Sequence, residues 1–80
     1  MPIILQKYPR IVADIEYCEG KPRIQGTRIT ISAILSYFAG GMTIDKMLEA
    51  FPQLTKEDIT QALSFAASQF QEIYLPLKAA

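Results

Sequence analysis

The chain has 80 residues with eight basic and eight acidic side chains, so its formal net charge is zero. A chain of this length forms one small domain with a thin core, and a zero net charge provides no strong field for attracting nucleic acid or an anionic membrane. One cysteine and no histidine exclude an intramolecular disulfide, the common zinc sites and a Ser–His or Cys–His pair, so we expect no enzymatic activity, metal or cofactor.

Half of the chain is apolar, which is a large share for so small an interior. We therefore expect some of this surface to face another chain, as a homo-oligomer (a dimer or higher) or with a stable partner. No apolar run approaches the ~18 residues of a membrane helix, and the opening stretch "MPIILQKYP" lacks the form of a signal peptide. The composition predicts a soluble, cytoplasmic protein in which residues 1–80 form a single domain.

Residues 1–30 have the pattern of a β-rich N-terminal arm. The stretch "RIVADIEY" alternates in its second half, with Ile15 and Tyr17 on one face, which is typical of a half-buried strand. A weaker strand signal follows in "RIQGTRITI", with Ile29 and Ile31 on one face. The segment between them contains a glycine and a proline, so the pattern predicts a small hairpin or two short ladders.

Residues 31–75 have the pattern of three helices that form a trihelical bundle. Apolar side chains recur at helical spacing in each of them. Capping side chains start the helices, and glycine or proline ends the first two. The predicted helices run from Thr30 or Ser32 to Gly40, from Thr43 to Pro52, and from Thr55 to about residue 74. The fold predicted is mainly α: short N-terminal strands, then a homeodomain-like (helix-turn-helix) bundle.

The stretch "CEGKPRIQGTRI" is the densest in unusual residues. Five residues separate its glycines and no lysine follows the second, so it is not a Walker A phosphate loop. Cys18 is interpreted as a small apolar residue rather than a reactive thiol. We expect an architectural role for the residues that bend or rigidify the chain here and after the second helix: Gly20, Pro22, Gly26, Thr27 and Pro52.

Two groups of side chains are candidates for contact with nucleic acid. In a helix-turn-helix, the start of the third helix enters the major groove, and basic side chains elsewhere contact phosphates. The third helix contributes Thr55, Lys56, Thr60 and Gln61, and the first third of the chain contributes Lys21, Arg23 and Arg28. For the two arginines, contact with nucleic acid or with a partner and a purely architectural role both remain open.

Two segments resemble a known family when taken together. They are "GKPRIQGTR" at residues 20–28 and "FPQLTKEDITQALSFA" at residues 51–66. The chain is similar over residues 11–67 to a widespread prokaryotic family of small uncharacterised domains with a homeodomain-like fold, regarded as VapB-type antitoxins. Glu19 stands where the family usually has glycine, and Thr30 where proline is common.

The resemblance implies a function that composition alone does not. It implies a non-enzymatic domain that neutralises a PIN-like ribonuclease toxin encoded beside it and that also binds operator DNA. Two alternatives stay open at this point. One is a helix-turn-helix DNA-binding regulator without a toxin partner, and the other is a structural oligomerisation module.

Overall fold

The computed structural model of the chain describes residues 3–71, with side chains from residue 6 onward. Three strands form an antiparallel sheet in the order β1-β2-β3, and three helices follow it. The elements are β1 (Ile3–Leu5), β2 (Tyr8–Ala13), β3 (Arg23–Ile24), α1 (Ile31–Ala39), α2 (Ile44–Ala50) and α3 (Lys56–Ser68). The predicted order of short N-terminal strands followed by three helices is confirmed.

The sheet is built around β2. Ile11 of β2 lies opposite Ile24 of β3, which is the hairpin that the two strand patterns predicted. On its other edge β2 pairs with β1, which the sequence pattern had not indicated, and an irregularity in register follows Ile4. The two isoleucines of the β2–β3 pair are fully buried, so the sheet contributes directly to the core.

The predicted alternation through Tyr17 is wrong, because the strand ends at Ala13. Asp14 bends the chain: its Oδ1 accepts a hydrogen bond from the backbone N of Glu16 at 3.0 Å, and its carbonyl oxygen accepts one from the N of Tyr17 at 2.9 Å. A short aspartate side chain bonds its own backbone readily in this way and competes with the strand. Ile15, expected on the buried face, is consequently 84% exposed.

The second predicted strand, which corresponds to β3, is also shorter than its sequence pattern. It ends at Ile24, and a turn occupies residues 25–28. Ile31 lies where the strand pattern and the predicted first helix overlap, and it begins α1, as the helix prediction has it. Thr30 decides between the two, because its hydroxyl accepts a hydrogen bond from the N of Ala33 at 3.1 Å and caps the helix. A proline at this position has no side-chain oxygen with which to make that bond.

The starts of the other two helices are as predicted. Thr43 caps α2 by accepting from the N of Lys46 at 3.2 Å. Thr55 caps α3 in a reciprocal capping box: its hydroxyl accepts from the N of Asp58 at 3.1 Å, while the Asp58 carboxylate accepts from the N of Thr55 at 2.9 Å. Local sequence therefore determines where these helices begin.

The prediction that α3 continues to about residue 74 is wrong at its C-terminal end. The helix stops at Ser68, whose hydroxyl donates to the carbonyl oxygen of Phe65 at 2.6 Å, and turns occupy residues 69–71. Residues 72–75 of the predicted bundle lie outside the described residues. No glycine or proline marks this end, so the apolar spacing alone extended the prediction too far.

The core lies where the sheet and the helices meet. Eight buried apolar side chains form one cluster: Ile11, Ile24, Ile31, Ile34, Met47, Leu54, Ile59 and Ala62. Phe38 of α1 and Phe51 at the end of α2 pack against this cluster while remaining partly exposed. The predicted apolar stripes of α1 and α2 are thus confirmed, whereas Leu63 of the α3 stripe is 37% exposed.

An ion pair joins the sheet to α3. Arg10 of β2 donates from Nε to Oδ1 of Asp58 at 2.6 Å, and Asp58 is fully buried. Burial raises the pKa of Asp58, but the hydrogen bonds from Arg10 and from Thr55 together lower it by more than burial raises it. The pKa therefore lies below the usual value for aspartate. The carboxylate is therefore charged in the folded protein at neutral pH, and it holds α3 against β2.

Among residues 3–71, no helix has the length and apolar character needed to cross a membrane. Over the same range, no three His, Cys, Asp or Glu side chains gather into a group that would hold a metal ion.

Candidate functional site

The loop from Ile24 to Ile29, here called the 24–29 loop, is closed by its own hydrogen bonds. The N of Ile24 donates to the carbonyl oxygen of Ile29 at 3.0 Å. The Thr27 hydroxyl donates to the carbonyl oxygen of Ile24 at 2.9 Å and accepts from the N of Ile29 at 3.0 Å. Thr27 thus ties both ends of the loop together, which gives a physical reason for threonine in the Gly-Thr-Arg motif.

Gly26 supplies the backbone conformation that this loop requires. Its φ is +80°, in the left-handed region, and a Cβ added there would meet no atom within 4 Å. Glycine is therefore needed for its backbone freedom and not for lack of space. The architectural role predicted for Gly26 and Thr27 has this geometry as its support.

The turn at Cys18–Gly20 also has a left-handed backbone, with φ of 53°, 57° and 80° in succession. Glu19 adopts a backbone conformation that glycine adopts at lower cost. The Cys18 thiol is half-buried and donates to the carbonyl oxygen of Arg28 at 3.7 Å, which connects this turn to the 24–29 loop.

Tyr17, Arg23 and the 24–29 loop line an open concavity of about 280 Å³, here called the cationic cleft. Its lining residues are Tyr17, Arg23, Gly26, Thr27 and Arg28. The guanidinium carbon of Arg23 lies 5.2 Å from the centre of the Tyr17 ring, and that of Arg28 lies 5.9 Å from it. Both distances are within the range of cation–π contacts, so a single aromatic ring orients both charges.

The two guanidinium groups differ in how they are held. Arg23 donates from Nε to the carbonyl oxygen of Thr27 at 3.0 Å, while its Nη1 is buried without a hydrogen-bond partner among the described residues. Arg28 is exposed, and its side chain makes no hydrogen bond or ion pair within residues 6–71. The structure therefore places two positive charges in one concavity, and no carboxylate oxygen of residues 6–71 lies within 4 Å of either.

A second concavity, of about 310 Å³, lies between α1 and the C-terminal end of α3 and is mostly apolar. We call it the apolar groove. Its lining residues are Lys21, Pro22, Ile31, Ser32, Leu35, Phe65, Ala66, Gln69 and Phe70. Phe70 is 67% exposed, so a large aromatic surface is in water at the end of this groove.

The basic residues of the first third do not form one patch. Lys21 lines the apolar groove, whereas Arg23 and Arg28 line the cationic cleft. Pro22 lies beside Lys21 in the groove, and its carbonyl oxygen accepts from the N of Ile31 at 3.0 Å, which holds the start of α1 against this segment. A single short segment thus contributes to two surfaces of opposite character.

The side chains at α3 that were predicted to contact nucleic acid make hydrogen bonds within the domain, with the exception of Lys56 among the described residues. Thr55 is the helix cap, and Gln61 accepts from the N of Arg10 at 2.8 Å and donates to Glu57 at 3.1 Å. The Thr60 hydroxyl donates to the carbonyl oxygen of Lys56 at 3.0 Å, and both residues are exposed. Hydrogen bonds do not connect this group to Arg23 or Arg28 within the part of the chain that the structure describes.

Sequence reasoning missed three residues with clear roles. Tyr17 was assigned to a strand face, yet it lies between the two arginines of the cleft. Asp58 and Arg10 were not among the predicted candidates, yet they pair with each other although 48 residues separate them in the chain. The spacing of Thr55 and Asp58 is typical of a capping box and so indicates the role of Asp58 at the start of α3. Nothing local in the sequence indicates its pairing with Arg10.

Comparison with known proteins shows the family to which this chain belongs. Residues 11–66 match the model of a family described as "Protein of unknown function (DUF433)", and the chain belongs to that family. Its structure is similar to the crystal structure, at 2.00 Å resolution, of a DUF433 member protein from Anabaena variabilis, with a TM-score of 0.72 and 29% sequence identity. The match covers 74% of this chain and 58% of that one, so this domain spans little more than half of its solved relative. The chain has no match among curated proteins.

Proposed function

We propose that this domain is a non-enzymatic binding module of the antitoxin type, which binds a PIN-like ribonuclease through the apolar groove. The observation that carries the proposal is the groove itself: a mostly apolar concavity of about 310 Å³ with Phe70 exposed to 67% at its end. Apolar concavities with an exposed aromatic residue are typical of protein interfaces, whose central contacts are rich in aromatic side chains.

The position of the groove supports this reading. Its walls come from α1 and α3, which the core holds rigidly, so the surface is formed before a partner arrives. Lys21 is the exposed cationic residue in its lining and offers a contact for a carboxylate on the partner. In this proposal the three helices are the homeodomain-like unit that the sequence resemblance implies, and the domain acts in the cytoplasm.

Co-expression with the nuclease encoded beside its gene tests the proposal. We expect the two chains to co-elute on size exclusion and the domain to restore growth of cells that express the nuclease. Phe70→Ser should weaken the complex about tenfold or more, because interface aromatics in apolar pockets carry much of the binding energy. Ile15→Ser is the matched control, since Ile15 is 84% exposed and lies outside the groove.

Three results would contradict this proposal. The nuclease and the domain elute separately and growth is not restored, or Phe70→Ser binds the nuclease as tightly as Ile15→Ser does. In the third, the domain alone is a dimer that Phe70→Ser dissociates, and the nuclease does not compete for the groove. That last result assigns the groove to a second copy of the chain instead of a nuclease.

A second candidate function is a helix-turn-helix regulator that binds DNA through α3. The observation that favours it is the exposure of Lys56 and Thr60 on the first turns of this helix. The exposed carboxylate of Glu57 between them opposes phosphate contacts, and Gln61 is held by β2.

In a salt titration with DNA from upstream of its own gene, Lys56→Ala should reduce the slope of log affinity against log salt concentration by about 0.9. An unchanged slope would remove α3 as the phosphate-contacting element.

A further inference from the structure

We infer that the cationic cleft is a binding site for a phosphate group. The inference concerns a surface separate from the apolar groove, so it does not depend on the nuclease-binding proposal. Two guanidinium groups, one tyrosine ring and a rigid glycine-containing loop line one concavity of about 280 Å³. Each of these components has a definite role in holding an oxyanion.

The charge balance of the cleft is the first argument. The ion pairs within residues 6–71 are Arg10 with Asp58 and Lys46 with Glu49, so neither Arg23 nor Arg28 has a carboxylate within 4 Å there. Two like charges close to one ring repel each other, and an anion bound between them removes that repulsion. Structural arginines are ordinarily paired, so this arrangement is better suited to binding an anion than to holding the fold together.

The available hydrogen-bond donors are the second argument. Arg23 uses Nε on the Thr27 carbonyl oxygen, and its Nη2 makes no hydrogen bond among the described residues. Its Nη1 is buried there without a hydrogen-bond partner, so this guanidinium is only partly satisfied by the protein. Arg28 has its whole guanidinium available within the described part of the chain. Guanidinium groups present parallel N–H donors that match the oxygen spacing of phosphate, and such bonds are short and strong.

Pre-organisation of the cleft is the third argument. Tyr17 lies within 6 Å of both guanidinium carbons and limits where the two side chains point. Thr27 closes the 24–29 loop and holds the Arg23 Nε in place. Less conformational entropy is therefore lost when the ligand binds than for two free surface arginines. Tyr17 is a positioning residue in this site, because it acts through the two arginines.

The phosphate has two sources with the same chemistry: the backbone of a nucleic acid, or a free phosphate or nucleotide. Both fit the size of an open concavity of this volume. They differ in how binding depends on salt and on chain length, because a nucleic acid releases counterions and makes several contacts. The experiment therefore uses three probes on the full chain: inorganic phosphate, a mononucleotide and a 20-base-pair duplex.

Calorimetric titration of these probes tests the site with matched charge changes. We expect Arg28→Ala to weaken binding of the preferred probe about tenfold or more, since it removes charge-assisted hydrogen bonds. Lys46→Ala removes the same unit charge from an exposed side chain on α2 and should change the affinity less than twofold. Within residues 6–71 the Arg28 side chain makes no hydrogen bond or ion pair and contacts only the exposed face of the cleft at Tyr17, so the melting temperature should change by no more than a few degrees in either variant.

Tyr17 has its own test by conservative rescue. Tyr17→Phe keeps the ring that orients the arginines and should bind the probe like the natural chain, whereas Tyr17→Leu should lose several-fold in affinity. Tight binding of the duplex with a steep salt dependence identifies the nucleic-acid backbone as the source. Saturation by phosphate or the mononucleotide, with weak salt dependence, identifies a small ligand.

Three results would overturn the inference. None of the three probes binds, or Arg28→Ala and Lys46→Ala weaken binding equally, which indicates a diffuse charge effect. In the third, an acidic peptide binds the cleft more tightly than any of the phosphate probes, which makes the cleft a contact for protein carboxylates.

Discussion

The cationic cleft and the apolar groove share one stretch of chain, residues 17–28, yet they are opposite in character. Lys21 and Pro22 line the groove together with two helices, whereas the other lining residues of this stretch, Tyr17, Arg23, Gly26, Thr27 and Arg28, line the cleft. The groove depends on side chains of α1 and α3 that are distant in sequence, whereas the cleft is formed within residues 17–28. Residues 20–28 therefore do not serve a single purpose, because they contribute side chains to both surfaces.

The largest expected effect is on the support that both surfaces share. Asp58→Ala should lower the free energy of unfolding by about 2–3 kcal/mol, because it removes the carboxylate half of the α3 capping box and the buried partner of Arg10. This loss of stability is smaller than for a fully buried ion pair, because the Arg10 side chain is 38% exposed and water can hydrate it. Urea denaturation measures it, and both the groove and the cleft should lose binding as the fold weakens.

Glu57→Ala is the matched control, because Glu57 is the exposed neighbouring carboxylate, and it should cost less than about 0.5 kcal/mol. Equal losses in the two variants would contradict a bracing role for Asp58.

The depressed pKa of Asp58 also predicts a direction with pH. Because the folded pKa is below the unfolded value of about 3.9, the carboxylate stabilises the fold fully above that value. This contribution is lost as pH falls below about 4 and through the folded pKa. Denaturation midpoints between pH 6 and pH 2 measure it. Asp58→Asn should show a flatter profile in the acid range, and a parallel profile would show that other carboxylates cause the acid loss.

A smaller change should separate the cleft from the groove. Gly26→Ala places an L-residue at φ +80° and should lower the free energy of unfolding by about 1–2 kcal/mol. Because the 24–29 loop would relax, phosphate binding should weaken while nuclease binding through the groove stays the same. Gly40→Ala is the control, since Gly40 has a φ of −81° and an added Cβ would make only ordinary contacts with carbonyl oxygens of α1. A loss of groove binding in Gly26→Ala would show that the two surfaces are not independent.

Much of the helical architecture was readable from local patterns. The caps at Thr43 and Thr55, and the apolar stripes of α1 and α2, all appear where they were predicted. The failures have local causes as well. Asp14 bonds its own backbone and ends the predicted alternation, and α3 stops at Ser68 without a glycine or proline to mark the end.

The candidate site was readable only in part. The sequence drew attention to Arg23, Arg28 and the loop glycine, but it assigned Tyr17 to a strand and grouped Lys21 with the arginines. Alternation along an assumed strand cannot report a bend, and the bend at Asp14 brings Tyr17 to the arginines. Gln61, predicted to face nucleic acid, is held by the backbone of Arg10, which lies 51 residues away.

Local sequence patterns predicted the order of strands before three helices and the residue at which each helix starts. The helix starts depend on capping hydrogen bonds between residues three positions apart, so they follow from the residue types near each start. Only the tertiary structure decided that Asp58 braces Arg10, that Tyr17 orients two arginines and that Pro22 and Arg23 serve different surfaces. These contacts join distant segments, and their formation depends on how the whole chain packs its core.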